Sequence, residues 1–99
     1  MIKRKLVISR LKEECIEEYI GAHKNIWTEL ILEYKESGIK DISCFLNGRD
    51  LYVYIQYDEI RMKCNQNPMP FDEKWQKYIN GFKDSTAGFI KTVEVFHME

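Results

Sequence analysis

Residues 39–57 read IKDISCFLNGRDLYVYIQY, and this stretch decides the fold. Ile39 to Leu46 and Leu51 to Tyr57 are rich in β-branched and aromatic side chains, and Asn47-Gly48-Arg49-Asp50 stands between them. Asn-Gly flanked by such runs is the strongest short hairpin signal, because both residues accept positive φ. Two antiparallel strands are expected. In the second, alternation puts Leu51, Val53, Ile55 and Tyr57 on one face and Tyr52, Tyr54 and Gln56 on the other. Neither side is a charged, fully solvated surface, and an aromatic second face often meets a partner.

Upstream, residues 5–11 (KLVISRL) form another run of aliphatic and β-branched residues and predict a first strand. From Glu13 to about Glu36 a 3.6-residue period takes over, with acidic residues at its start and Ser37-Gly38 at its end. One helix is expected over this span, closed by Gly38 as the left-handed cap. Downstream of the hairpin a short helix is expected to about Cys64, then a break at Asn67-Pro68 and Pro70. Phe71, Trp75, Tyr78, Ile79 and Phe82 share one face of a further helix, and Phe89 to Met98 reads as a last strand. The order βαββαβ predicts an α+β, ferredoxin-like domain over residues 1–99. It has a four-stranded antiparallel sheet and both helices on one face.

Fifteen basic against sixteen acidic residues leave a net charge of -1, so the clustered positive excess that phosphate backbones require is missing and nucleic acid is not an expected partner. The run LVI near the N-terminus is too short for a signal-peptide core, and no stretch approaches the ~20 apolar residues of a membrane span. A cytoplasmic protein without a membrane partner is expected. Cys15, Cys44 and Cys64 are odd in number, widely spaced and never C-x-x-C, so they are expected to be reduced core thiols, with no zinc site. No phosphate loop, nucleophile elbow or H-E-x-x-H pattern occurs.

One residue does not fit a packing role. Ile16, Tyr19, Ile20, His23, Trp27, Leu30, Ile31 and Tyr34 follow one helical face, and His23 lies near its centre. An imidazole loses free energy there unless it finds hydrogen-bond partners. A free imidazole titrates near ~6.5 and can give and take a proton at neutral pH. Tyr19 and Trp27 flank His23 at i−4 and i+4, and the second helix aims Trp75 and Tyr78 at the same space. Aromatic planes stack on the apolar face of a sugar ring, while phenol and indole groups bond its hydroxyls. The same pattern is also that of a core histidine bonded to a backbone carbonyl among packing aromatics. The residues alone therefore leave both a small polyhydroxylated ligand and plain packing open.

The sequence resembles the L-rhamnose mutarotase family from end to end. The likeness is carried by MIKRKLVI at the start, by Tyr19 followed by His23-Lys24-Asn25-Ile26-Trp27-Thr28-Glu29-Leu30, and by Gly38 to Leu46. Lys74-Trp75-Gln76-Lys77-Tyr78 and Glu94 to Met98 complete it, and the H-x-x-I-W-x-E-L block is its most specific part. The resemblance implies a homodimer of the dimeric α+β barrel type that interconverts the α and β anomers of L-rhamnose or a related hexose. It implies no cofactor and no metal. His23 is then the proton donor, and Tyr19, Trp75 and Gln76 bind the monosaccharide. The family pattern has tyrosine where this chain has Ile42, tryptophan where it has Gln76, and proline where it has Thr28. The acid is kept while the recognition shell differs. Two other readings of the same fold are a non-catalytic dimeric module that binds a small metabolite and a small monooxygenase-like enzyme.

Overall fold

The computed structural model describes residues 1–98. Its strands are β1 (Ile2–Arg10), β2 (Ile39–Asn47), β3 (Asp50–Asp58) and β4 (Ile90–Lys91). Its helices are α1 (Ile16–Lys24), α2 (Thr28–Ser37), α3 (Glu59–Cys64) and α4 (Pro70–Asn80). The described strands form one antiparallel sheet in the order β2-β3-β1-β4, the ferredoxin-like arrangement expected for βαββαβ. The hairpin forms with Asn47 opposite Asp50, so its two central residues are Gly48 and Arg49 rather than Asn47 and Gly48. Gly48 alone has positive φ, at 61°, the arrangement of a II′ turn with glycine first.

The cross-strand register sorts the two faces. Val7, Val53 and Cys44 form one row, facing the helices, and the neighbouring row of Ile8, Tyr52 and Phe45 faces away. Leu11, Tyr19, Leu30, Leu51, Trp75, Ile79 and Phe82 make the buried core between helices and sheet. The opposite face carries no layer, and Phe45 is 61% exposed there.

Three expectations need correction. The helix expected over 13–36 is a 3-10 turn, Glu13–Cys15, followed by α1 and α2 with Asn25-Ile26-Trp27 between them. Asn25 (φ -123°, ψ 44°) and Trp27 (φ -69°, ψ 132°) leave the helical region, as asparagine, β-branched and aromatic residues do most readily. The apolar stripe continues across the break, which hides it from a period. The last strand is only Ile90–Lys91, not Phe89 to Met98. Past Lys91 the Leu6 carbonyl accepts from the Thr92 hydroxyl at 2.6 Å, in place of a ladder N–H, and Glu94 pairs with Arg4 at 2.8 Å. Val93, Val95, Phe96 and Met98 are between 79% and 93% exposed, so no burial draws this segment into the sheet. The cysteines are free, but Cys44 and Cys64 are exposed and Cys15 is half-buried; they are not core thiols.

Gly38 ends α2 as expected, with φ 107° and its N–H reaching the carbonyls of Lys35 and Tyr34. No helix among the described residues is long and apolar enough to cross a membrane.

Candidate functional site

Between the helices and the inner face of the sheet lies a cavity of about 500 Å³. That is within the range of small-ligand sites. Its centre is His23 in the last turn of α1. His23 Nδ1 lies 2.9 Å from the carbonyl oxygen of Tyr19, one helical turn back. A carbonyl can only accept, so this contact assigns the proton to Nδ1 and leaves Nε2 without a protein hydrogen bond among the described residues. Neutral, Nε2 carries a lone pair; protonated, it donates. The ring is held between Tyr19, with centroids 4.3 Å apart, and the edge of Trp75 at 5.1 Å. The histidine is half-buried and opens on the cavity rather than being sealed in the core.

The structure brings all four residues singled out in the sequence, His23, Tyr19, Trp75 and Gln76, to this cavity. Their exposures differ in a way that matters. Tyr19 is 3% exposed, and its phenol meets the Cys44 thiol at the cavity floor. Burial pushes the titration of that phenol well above the usual range, with Cys44 adding to the effect, so Tyr19 stays a neutral donor. Trp75 is 4% exposed, its ring met at the edges by His23, Trp27 and Tyr78. It forms a wall with little open face. Gln76 is exposed at the rim. Trp27 packs against Trp75 at 5.3 Å instead of lining the cavity, and Tyr78 turns outward, 48% exposed.

The position of α4 follows from contacts with α2. The Glu33 carboxylate accepts from the backbone N–H of Phe71 at 3.1 Å and of Asp72 at 2.8 Å, capping α4 beside Pro70 at its first position. Negative charge at a helix N-terminus is favourable. Next to this junction the Tyr34 hydroxyl donates to Asp72 Oδ1 at 2.6 Å, and Gln76 Nε2 donates to the same oxygen at 3.2 Å. Burial and then the Asp72 bond push the Tyr34 phenol above its usual range. Tyr34, Ile42 and Gln76 line the same cavity.

Sequence reasoning placed Tyr34 on the right face without assigning it a role, took Cys44 for a core thiol rather than a cavity residue, and missed Lys83 altogether. Lys83 enters because the chain after α4 is tied to the hairpin turn. Leu11 and Lys83 form a bridge, Arg49 Nε donates to the Leu11 carbonyl at 2.9 Å, and Arg49 Nη2 pairs with Asp84 at 3.1 Å. No periodic signal could have shown this, because Lys83 follows a helix and precedes a loop. No cluster of His, Cys, Asp and Glu suited to a metal ion occurs among the described residues.

Comparison with known proteins adds four findings. A family model described as L-rhamnose mutarotase matches residues 4–98. A curated L-rhamnose mutarotase of Oceanobacillus iheyensis is 27% identical over 104 residues, covering 99% of this chain and 100% of that protein. Among solved structures, an L-rhamnose mutarotase of Formosa agariphila superposes with a TM-score of 0.74 at 21% identity, over 98% of this chain and 99% of the other. A dimeric ferredoxin-like protein from an uncultured marine organism reaches 0.59 at 15% identity, over 100% of this chain and 99% of the other. At these identities the solved structures speak for the fold alone.

Proposed function

Because this chain belongs to the L-rhamnose mutarotase family and is an isomerase acting at an anomeric carbon, we propose that it interconverts the α and β anomers of L-rhamnose or a related hexose in the His23 cavity. The observation that carries the proposal is the held imidazole. Nδ1–H is anchored on the Tyr19 carbonyl, which leaves Nε2 unbonded among the described residues on a ring that lines a space large enough for a monosaccharide.

In this mechanism the protonated Nε2 gives its proton to the ring oxygen while the anomeric hydroxyl loses one to water, and the bond between the anomeric carbon and the ring oxygen breaks. The open aldehyde turns about its C1–C2 bond. The same oxygen then attacks the other carbonyl face and returns its proton to Nε2, while the carbonyl oxygen takes a proton back from water and becomes the anomeric hydroxyl again. The Tyr19 phenol orients a hydroxyl from the floor, Trp75 shapes the wall, and Gln76 contacts the sugar at the rim. A positioned acid of this kind contributes roughly 10²- to 10⁴-fold.

The working unit in this reading is a homodimer. Ile8, Tyr52 and Phe45 on the uncovered face, together with the exposed apolar side chains of residues 93–98, supply the self-complementary surface that a two-fold dimer buries.

Saturation-transfer NMR on an equilibrated panel of hexoses tests the activity. Exchange between anomer signals above the spontaneous rate for one or more of these sugars is the expected result. Binding without exchange would replace the enzyme by a sensing module, and the absence of both would end the proposal.

A further inference from the structure

The cavity contains one charged lining residue. Lys83 is half-buried, and no Asp or Glu is among the residues that line the space with it. Its Nζ lies 4.9 Å from the centroid of the Phe89 ring, and no carboxylate comes within ion-pair reach among the described residues. The adjacent carboxylate, Asp84, is engaged by Arg49 at 3.1 Å and by the Thr86 hydroxyl at 2.6 Å. The nearest titratable neighbour inside the cavity is Cys44, whose thiol is pushed up by burial and so provides no negative charge.

Partial burial makes an unpaired ammonium costly, and a lysine serving only solubility lays its amine in bulk water. The backbone of this one is held by the Leu11–Lys83 bridge, its amine lies over the Phe89 ring, and both residues line the cavity and a neighbouring cleft. The far end of the cavity is chemically different. There Tyr34 and Gln76 converge on Asp72, at the first turn of α4. The lining is chemically uneven: hydroxyl-bonding groups stand at the start and middle of α4, a cation follows its end, and His23 and Tyr19 of α1 line the same space.

We propose that the cavity takes a pyranose bearing a carboxylate, a hexuronate, and that Lys83 binds the carboxylate at the hairpin end. The proposal rests on the mutarotase reading for its reaction and on the cavity alone for its charge preference. A carboxylate on the sugar completes an ion pair that the described residues leave open.

The test compares D-glucuronate with D-glucose and D-galacturonate with D-galactose, using wild type, Lys83→Arg and Lys83→Met. Anomer exchange is read by saturation-transfer NMR and binding by saturation-transfer difference from protein to sugar. In wild type each uronate should exceed its neutral counterpart in exchange, and the excess should shrink as salt is raised. Lys83→Met should lower the uronate-to-hexose ratio roughly tenfold, the scale of one partly exposed charge pair, and Lys83→Arg should retain most of it. Equal handling of acid and neutral sugars by wild type, or an unchanged ratio in Lys83→Met, overturns the inference. If no sugar exchanges at all, the mutarotase reading fails by itself. The charge preference is then decided by binding: uronate binding that weakens about tenfold in Lys83→Met supports it, and absent or charge-blind binding sinks it.

Discussion

Replacing His23 by asparagine separates the chemical role of the imidazole from its structural one. An asparagine amide can still donate to the Tyr19 carbonyl, which Nδ1 meets at 2.9 Å, but it has nothing equivalent to Nε2. The packing loss is that of two ring contacts, to Tyr19 at 4.3 Å and Trp75 at 5.1 Å. Aromatic pairs contribute about 0.5–1.5 kcal/mol each, and half-burial puts this case at the low end, about 1 kcal/mol in all. A domain of this size should then lose roughly 4–8 °C in Tm and remain folded at 25 °C. The catalytic loss is larger, ~10²- to 10⁴-fold, or about 3–5 kcal/mol of transition-state stabilisation. Anomer exchange should therefore fall to near the spontaneous rate while far-UV circular dichroism and the melting transition persist. Tyr19→Phe is the control, since it keeps the carbonyl that holds the ring and removes only the phenol. It should weaken sugar binding and leave most of the turnover at saturation. Catalysis by His23→Asn within about threefold of wild type would refute the assignment of the acid, because a threefold change is far below what a positioned proton donor supplies.

Tyr34→Phe removes the 2.6 Å bond to Asp72, and it should cost about 1 kcal/mol in urea unfolding and change the ranking of sugars in the NMR panel more than the rate for the best one. The two glycines should respond with opposite signs. Gly21 has open space around its missing Cβ and an ordinary φ, so Gly21→Ala should stabilise by up to ~1 kcal/mol. At Gly38, with φ 107° and the Met62 nitrogen 3.2 Å from where a Cβ would sit, alanine should cost about 2 kcal/mol; thermal melts of both variants check the pair. Phe45→Glu, on the uncovered sheet face, should convert a dimer to a monomer in sedimentation velocity with helical content unchanged, and a wild-type chain that sediments only as monomer would remove the proposed interface.

The parts of this fold that were legible in the sequence are those a local rule can reach. Asn47-Gly48 located the hairpin, Gly38 the end of α2, and the spacing of Trp75, Ile79 and Phe82 the buried face of α4. The break at Asn25-Ile26-Trp27 was not legible, because the residues on either side keep the apolar period as though the helix ran through. The last strand was overcalled for a complementary reason. Val93 and Val95 alternate with Thr92 and Glu94 as in a strand, yet pairing also needs free ladder groups and a layer to bury against, and those are tertiary facts. The same limit explains the site. His23 and Tyr19 stood out because they conflict with, or repeat along, one element's own face. Lys83 and the Tyr34–Asp72 bond exist only through the junctions of Leu11 with Lys83 and of Glu33 with α4.

In the proposed function the acid and the wall that faces it are mounted on different parts of the chain. His23 belongs to α1, and the hydrogen bond that aims it closes within that helix, with Trp75 of α4 contributing only a packing contact at 5.1 Å. The Tyr34–Asp72–Gln76 group belongs to α2 and α4, which Glu33 fastens to each other and which the extended residue Trp27 separates from α1. A substitution at Ile42, Gln76 or Tyr34 alters the far wall without passing strain through a continuous helix to the imidazole. In the proposed mechanism the proton donor and Tyr19 are thus carried by α1, while the polar wall is carried by α2 and α4. On that reading a change at Gln76 or Tyr34 is a local event that leaves the hydrogen bond aiming the imidazole intact.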